Sequence, residues 1–148
     1  IASDGLEVCD GLITSLKGEK IRVVNATIYA MTGPSLLWEP LIAWHQAGAK
    51  ADDVPKAGKD DAWAFVVIDR AGIHQYCEHS AHPDTFEPPW AWGSQWKMAL
   101  GAMYAGKTPE EAVALVCERA TTCGGEIHVV HIAEALGLTH KLTVRAVK

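Results

Sequence analysis

A chain of 148 residues with 49% hydrophobic and 21% charged side chains has the size and composition of one globular domain with a substantial core. Its formal net charge is −5 and no basic stripe appears, which argues against nucleic acid as a partner. No apolar run approaches the ~20 residues that span a bilayer, so no membrane is expected, and the start, Ile1-Ala2-Ser3-Asp4, lacks the basic flank and apolar stretch of a signal peptide.

Residues 1–8 read as a strand, followed by a Cys9-Asp10-Gly11 turn, because Asp-Gly tolerates the positive φ angles of hairpins. Residues 19–24 and 27–31 are further strands on either side of Asn25-Ala26. Residues 34–46 read as a helix in which Pro40 imposes a kink or a late start. Residues 47–61, rich in Gly, Ala, Asp and Lys, read as a surface loop or a poor short helix, without a domain boundary. Residues 62–69 are the clearest strand. Trp63, Phe65 and Val67 alternate with Ala64, Val66 and Ile68, so both faces are apolar and both should be covered. Arg70-Ala71-Gly72 turns the chain into a hairpin partner at 73–78, and residues 79–89 look irregular.

Residues 95–106 carry Trp96, Ala99, Leu100 and Met103 at helical spacing, with Gly106 as a stop. Thr108-Pro109-Glu110-Glu111 combines a capping Thr, Pro at the first helical position and Glu three residues after the cap. The helix it starts, 108–120, buries Ala112, Leu115 and Val116, or else Val113, Val116 and Ala120. The short Gly106-Lys107-Thr108 link makes the two helices antiparallel neighbours. Residues 124–131 form a last strand, and a variable tail follows Ala133. This order suits a sandwich with helices outside two sheets, or a generic two-layer α+β fold. The six tryptophans suit core or subunit contacts. The scattered Cys9, Cys77, Cys117 and Cys123 read as reduced thiols of a cytoplasmic protein in preference to a disulfide pair.

Several groups could carry chemistry. If residues 1–8 and 19–24 pair as a hairpin, Asp4 and Lys20 meet across it, either as a surface ion pair or as a functional one. Ser94, after Gly93, is a good helix cap or a polar group of a site. Tyr29-Ala30-Met31-Thr32-Gly33 is a buried strand or a strand end that presents backbone N–H groups. Cys123-Gly124-Gly125 leads from the second helix into the last strand, and a Gly-Gly pair is by itself only a turn signal. His74, Cys77, His79 and His82 are metal-capable residue types. Strand alternation, however, turns His74 away from Cys77 and His79, and the spacing matches no closed zinc motif, so no metal is expected.

Gly93-Ser94 with its two following helices, Ala2-Ser3-Asp4-Gly5 with Lys20 sixteen residues after Asp4, and Cys123-Gly124-Gly125 together resemble proteasome β-type and HslV-like subunits, members of the N-terminal-nucleophile (Ntn) hydrolases. The resemblance implies an α+β fold, a four-layer αββα sandwich, as a single domain over residues 1–148. It implies that the strand bearing a nucleophilic Thr lies upstream of Ile1. Lys20 would ease deprotonation of that Thr, Asp4 would hold Lys20, and Ser94 would hydrogen-bond the Thr amine. Ala30, where the family usually has Gly, would lie at the oxyanion hole, with Ile28 and Thr32 lining the pocket for the substrate residue before the cut. Cys123 stands for a supporting Ser, beside Gly124, and Ala120 for a supporting Asp. The implied function is a threonine-type peptidase without cofactor or metal, in a cytoplasmic homo-oligomeric ring. It would act on peptide or unfolded protein, with an ATPase unfoldase as a candidate partner. The alternative is a catalytically inactive scaffold ring subunit, which Ala120 and Ile1 favour as Asp4 and Lys20 favour the enzyme.

Overall fold

Strand pairing in this chain is antiparallel throughout the described residues, which are 1–9, 12–56, 58, 62–78 and 80–138 of a computed structural model. The first strands are short: β1 (Ala2–Asp4), β2 (Glu7–Cys9) and β3 (Leu12–Ser15). A five-stranded sheet follows, built in chain order from β4 (Ile21–Val24), β5 (Thr27–Thr32), β6 (Ala64–Asp69), β7 (Gly72–Cys77) and β8 (Ser80–Phe86). Asn25 and Ala26, at φ 52° and 56°, make the tight turn between β4 and β5. Positive φ at both central residues matches the twist of a two-residue hairpin. β5 and β6 occupy the middle of the sheet with Ile28 opposite Ile68 and Ala30 opposite Val66.

Both faces of β5 and β6 are covered, as their doubly apolar pattern predicts. On one face Tyr29, Met31, Phe65, Val67 and Tyr76 pack with Leu41, Ile42 and Trp44 of α1 (Trp38–Gln46). A 3-10 turn, Ser35–Leu37, precedes α1, and Pro40 sits in its first turn, where a missing N–H costs nothing. On the other face Ile28, Ala30, Val66 and Ile68 pack with Ile21 and Leu136, flanked by Ile1, Trp92, Val130 and Ile132. Helices α2 (Trp96–Tyr104) and α3 (Pro109–Arg119) pack on each other, and α3 rests on β1 and on β9 (Ile127–Val129) with Ala112 and Val116 buried. The predicted capping box is present: Glu111 N donates to Thr108 Oγ1 at 3.2 Å, and Thr108 N donates to the Glu111 carboxylate at 2.8 Å. The result is a mixed α/β fold, and among the described residues no helix is long and apolar enough to cross a membrane.

Four expectations need correction. Residues 1–8 do not form one strand paired with 19–24. The chain breaks at Gly5, where a Cβ would stand 2.6 Å from Leu16 O and 2.9 Å from Glu126 O. β1 pairs instead with β9, and β2 with β3. Residues 79–89 are not irregular throughout, since β8 pairs with β7 from Ile73–Phe86 onward. β8 is an edge strand, which is where a strand tolerates a residue such as Pro83. The last strand spans three residues instead of 124–131. Finally, the chain beyond Ala133 is more than a tail: α4 (Ile132–Ala135) leads to Leu136, 2% exposed in the core. The Asp10-Gly11 turn and His79 lie outside the described residues.

Candidate active site

Asp4 ends β1 and Lys20 immediately precedes β4, so neither is placed by the pairing of the other's strand. Lys20 is tied to the central sheet through its carbonyl, which accepts from Met31 N at 3.1 Å. Its ammonium donates to Asp4 Oδ1 at 2.8 Å, and the two side chains are only 21% and 15% exposed. The other carboxylate oxygen, Asp4 Oδ2, accepts from Leu6 N at 3.3 Å and from Gly124 N at 3.2 Å. A carboxylate satisfied by an ammonium and two backbone donors is fixed in both position and orientation.

Glycines let three chain segments converge there. Gly5 N donates to Gly124 O at 3.1 Å, Gly18 N to Gly5 O at 2.8 Å, and Glu126 N to Leu16 O at 2.8 Å. Gly125, at φ 78°, lies so close to Leu16 that a Cβ would meet its carbonyl oxygen at 2.3 Å. The loop 16–20, the β1 end and the segment 124–126 thus clasp one another around the Asp4–Lys20 pair.

A second polar group comes from the start of α2 and the loop after α3. Ser94 Oγ donates to Thr122 Oγ1 at 3.3 Å, and Gln95 Nε2 donates to the same oxygen at 3.1 Å. Next to them, burial raises the Cys123 thiol pKa above its ordinary 9.0 and the Asp4 charge adds to this. Hydrogen bonds from Thr122 and Ser94, and the Lys20 charge, pull the other way without prevailing. Cys117 is raised likewise, by burial and then by Asp4. Both remain neutral thiols at physiological pH, so neither is a ready nucleophile.

Asp4, Lys20, Ala30, Thr32, Ser94 and Cys123 all border one cleft of about 1240 Å³, whose walls also include Gly33, Trp92 and Gly93. The β5 end and the Gly93 turn are adjacent: a Cβ on Gly93 would stand 3.7 Å from the Thr32 methyl. Ile28 does not reach the cleft. It shares the Ala30 and Thr32 face of β5 but is 0% exposed, sealed by Ile68 and Leu136. Ala30 is flanked by β4 and β6, opposite Ile21 and Val66. Backbone N–H groups alternate sides along an antiparallel strand. With Met31 N directed to Lys20 O, Ala30 N points toward β6, and the next donor on the Lys20 side is Gly33. Gly33 N–H has no hydrogen-bond partner among the described residues and borders the cleft. Of the strand end 29–33 that the sequence singles out, Gly33 and not Ala30 thus turns a free N–H to the Lys20 side, while Gln95 and Thr122 join Ser94. A glycine directly after a strand was the available signal for Gly33.

Of the histidine group, His79 lies outside the described residues. His74 Nε2 lies 3.7 Å from Asp69 Oδ1 on the α1 side, and among the described residues no group of three or more His, Cys, Asp or Glu side chains is arranged to hold a metal ion.

No protein-family model matches the chain, and no curated protein matches it by sequence. Solved structures do. BPH of Thiobacillus denitrificans, determined in complex with epoxomicin, superposes with a TM-score of 0.64 at 20% identity, covering 86% of this chain and 88% of that one. The eukaryotic HslV of Trypanosoma brucei superposes with a TM-score of 0.67 at 12% identity, over 86% of this chain and 88% of its own. At these identities the likeness establishes the fold, which this chain shares with BPH and HslV.

Proposed function

We propose that this chain is the catalytic body of a threonine-type peptidase subunit, a single proteasome β-like domain whose nucleophilic Thr is carried on a strand N-terminal to Ile1. The observation that carries this reading is the Lys20–Asp4 pair, locked by Gly124 N–H at the edge of a large cleft. A further support is β1, which pairs only with β9 among the described residues and so has an edge able to accept one more strand. In this reading the layers run α1, five-stranded sheet, β1–β9 sheet, then α2 with α3, an αββα sandwich.

The chemistry follows from the residue types. The Thr hydroxyl oxygen bonds to the scissile carbonyl carbon while its proton passes to the Thr amine. The Lys20 ammonium lowers the cost of the developing alkoxide, and Asp4 keeps Lys20 aimed. The carbonyl oxygen, now negative, takes the Gly33 N–H as donor. The C–N bond then breaks, the leaving amine takes the proton, and water hydrolyses the ester to restore the hydroxyl. Substrates are peptides or unfolded segments, Thr32 and Trp92 stand beside the residue before the cut, and subunits close into a cytoplasmic ring fed by an ATPase. The test is turnover of a fluorogenic peptide by the protein with its preceding segment, with labelling by an electrophile that traps an N-terminal Thr. An assembled ring that neither turns over peptide nor labels would replace this reading with the scaffold subunit.

A further inference from the structure

We infer that Glu7 is a specificity-determining residue of the cleft and favours a lysine or arginine as the substrate residue before the cut. The inference rests on the peptidase reading. Among the described residues, four charged side chains border the cleft: Asp4, Glu7, Lys20 and Lys107. Asp4 and Lys20 neutralise each other at 2.8 Å. Lys107, on the link between α2 and α3, has the Glu111 carboxylate near it, whose pKa is lowered first by the Thr108 N–H and then by the Lys107 charge. The Glu7 carboxylate has no ion pair and no hydrogen bond among the described residues. The cations of the adjoining loop are taken, Lys17 by Glu126 at 2.9 Å and Lys20 by Asp4.

Glu7 opens β2 opposite Ser15 and is half-buried. Its side chain folds onto Gly18, which is itself buried. A Cβ on Gly18 would stand 2.5 Å from Glu7 Cγ and 2.6 Å from its carboxyl carbon, so the glycine makes room for this side chain. Gly18 precedes Lys20 by two residues, and two residues of extended chain span at most about 7 Å. The carboxylate is thereby held beside the wall that carries Lys20, on the same cleft as Thr32. Glu19, the acid next to Lys20 in sequence, is exposed and does not border the cleft. A partly desolvated carboxylate gains more from an opposite charge than one in open water. Leu6 and Val8 flank Glu7 and border the same space. An apolar wall with an acid in it suits the alkyl stem of a lysine or arginine and the cation at its end. An acidic substrate residue meets the same carboxylate as a like charge.

The experiment uses the protein with its preceding segment and three fluorogenic peptides, alike except for Arg, Leu or Glu before the cut. The parent should cleave them in the order Arg, Leu, Glu, read as kcat/KM. Glu7→Gln keeps the shape and removes the charge. It should lower the Arg-to-Leu ratio of kcat/KM on the order of 10-fold, the size of one partly desolvated charge pair. Glu7→Asp keeps the charge and should restore most of the ratio, which a loss of packing would not predict. Glu19→Gln removes an equal charge outside the cleft and should leave the ratio as it is. Added salt should reduce the ratio of the parent and not that of Glu7→Gln. An unchanged ratio in Glu7→Gln would overturn the inference and leave the peptidase reading standing. So would a parent that prefers Leu or Glu to Arg. A parent inert toward all three peptides and toward the trapping electrophile would overturn both.

Discussion

Lys20 and Asp4 lie 2.8 Å apart although Asp4 ends a strand of one sheet and Lys20 leads into a strand of another. The hairpin that would bring them together is not formed. The contact is made by the clasp of residues 16–20 over Gly5 and Gly125. Lys20 therefore carries little of the packing, and Lys20→Ala should leave a folded protein. Peptide turnover of the chain with its preceding segment should fall by about 100-fold or more, as for loss of a group acting directly on the nucleophile. Equal turnover in variant and parent would remove Lys20 from the mechanism.

Asp4 is different because it satisfies backbone as well as side chain. Asp4→Ala leaves the N–H groups of Leu6 and Gly124 and the Lys20 ammonium without their acceptor. It should cost about 2–4 kcal/mol in urea denaturation, since stranded donors and an unpaired cation both carry a penalty. Asp4→Asn keeps an acceptor oxygen and should cost less. A loss below 1 kcal/mol for Asp4→Ala would show that the clasp stands without it.

The adjacent glycines 124 and 125 should respond in opposite ways. A Cβ at Gly124 meets nothing within 4 Å, whereas one at Gly125 meets Leu16 O at 2.3 Å, on a backbone at φ 78°. Gly125→Ala should destabilise by several kcal/mol, roughly the sum of a positive-φ strain and a forced shift of the 16–20 loop. Gly124→Ala should change stability by less than about 1 kcal/mol. Thermal unfolding of the two variants decides it, and similar melting temperatures would contradict the packing described.

His45 gives a pH dependence. Burial holds its imidazole below the ordinary 6.5, against a raising influence from Asp69. Below 6.5 the unfolded chain takes up a proton that the folded one resists, so the unfolded state binds more protons. Stability is then full above 6.5 and declines as pH falls toward the lowered folded value. His45 lies edge-on to Tyr29, Phe65 and Tyr76, so Phe is a reasonable replacement. His45→Phe should flatten the stability profile in that window, read as urea midpoints at successive pH values. A variant that declines as steeply as the parent would assign the effect elsewhere.

Leu136 tests the C-terminal part of the described chain. It is 2% exposed among Ile21, Ile28, Ala30, Val66 and Ile68. Leu136→Ala should cost about 2–4 kcal/mol. Leu138, exposed and two residues on, is the control and should tolerate the same change.

Local signals were legible and non-local ones less so. The capping box at Thr108, the helix pair and the doubly apolar β6 depend on neighbours in sequence and could be read directly. The strand β8 was hidden because Pro83 and its polar neighbours mask an edge position that only the partner β7 reveals. Which N–H of residues 29–33 turns to the Lys20 side depends on the Met31–Lys20 bond, a matter of register between strands. Ile28 faces the right way, but its depth depends on Leu136, 108 positions away. Thr122 carries no motif of its own, and its contacts with Ser94 and Gln95 arise only when the loop after α3 meets the start of α2.

The bond from Gly124 N to Asp4 spans 120 residues, and synthesis runs from the N-terminus at roughly 5–20 residues per second. While a chain is being made, the segment that fixes the carboxylate emerges about 120 residues after Asp4. Contacts of such long range also form slowly, because a large loop must close first. The geometry of the site is thus a late product of biogenesis. A chain that stops short of Gly124 holds Asp4 and Lys20 without the N–H that fixes the carboxylate.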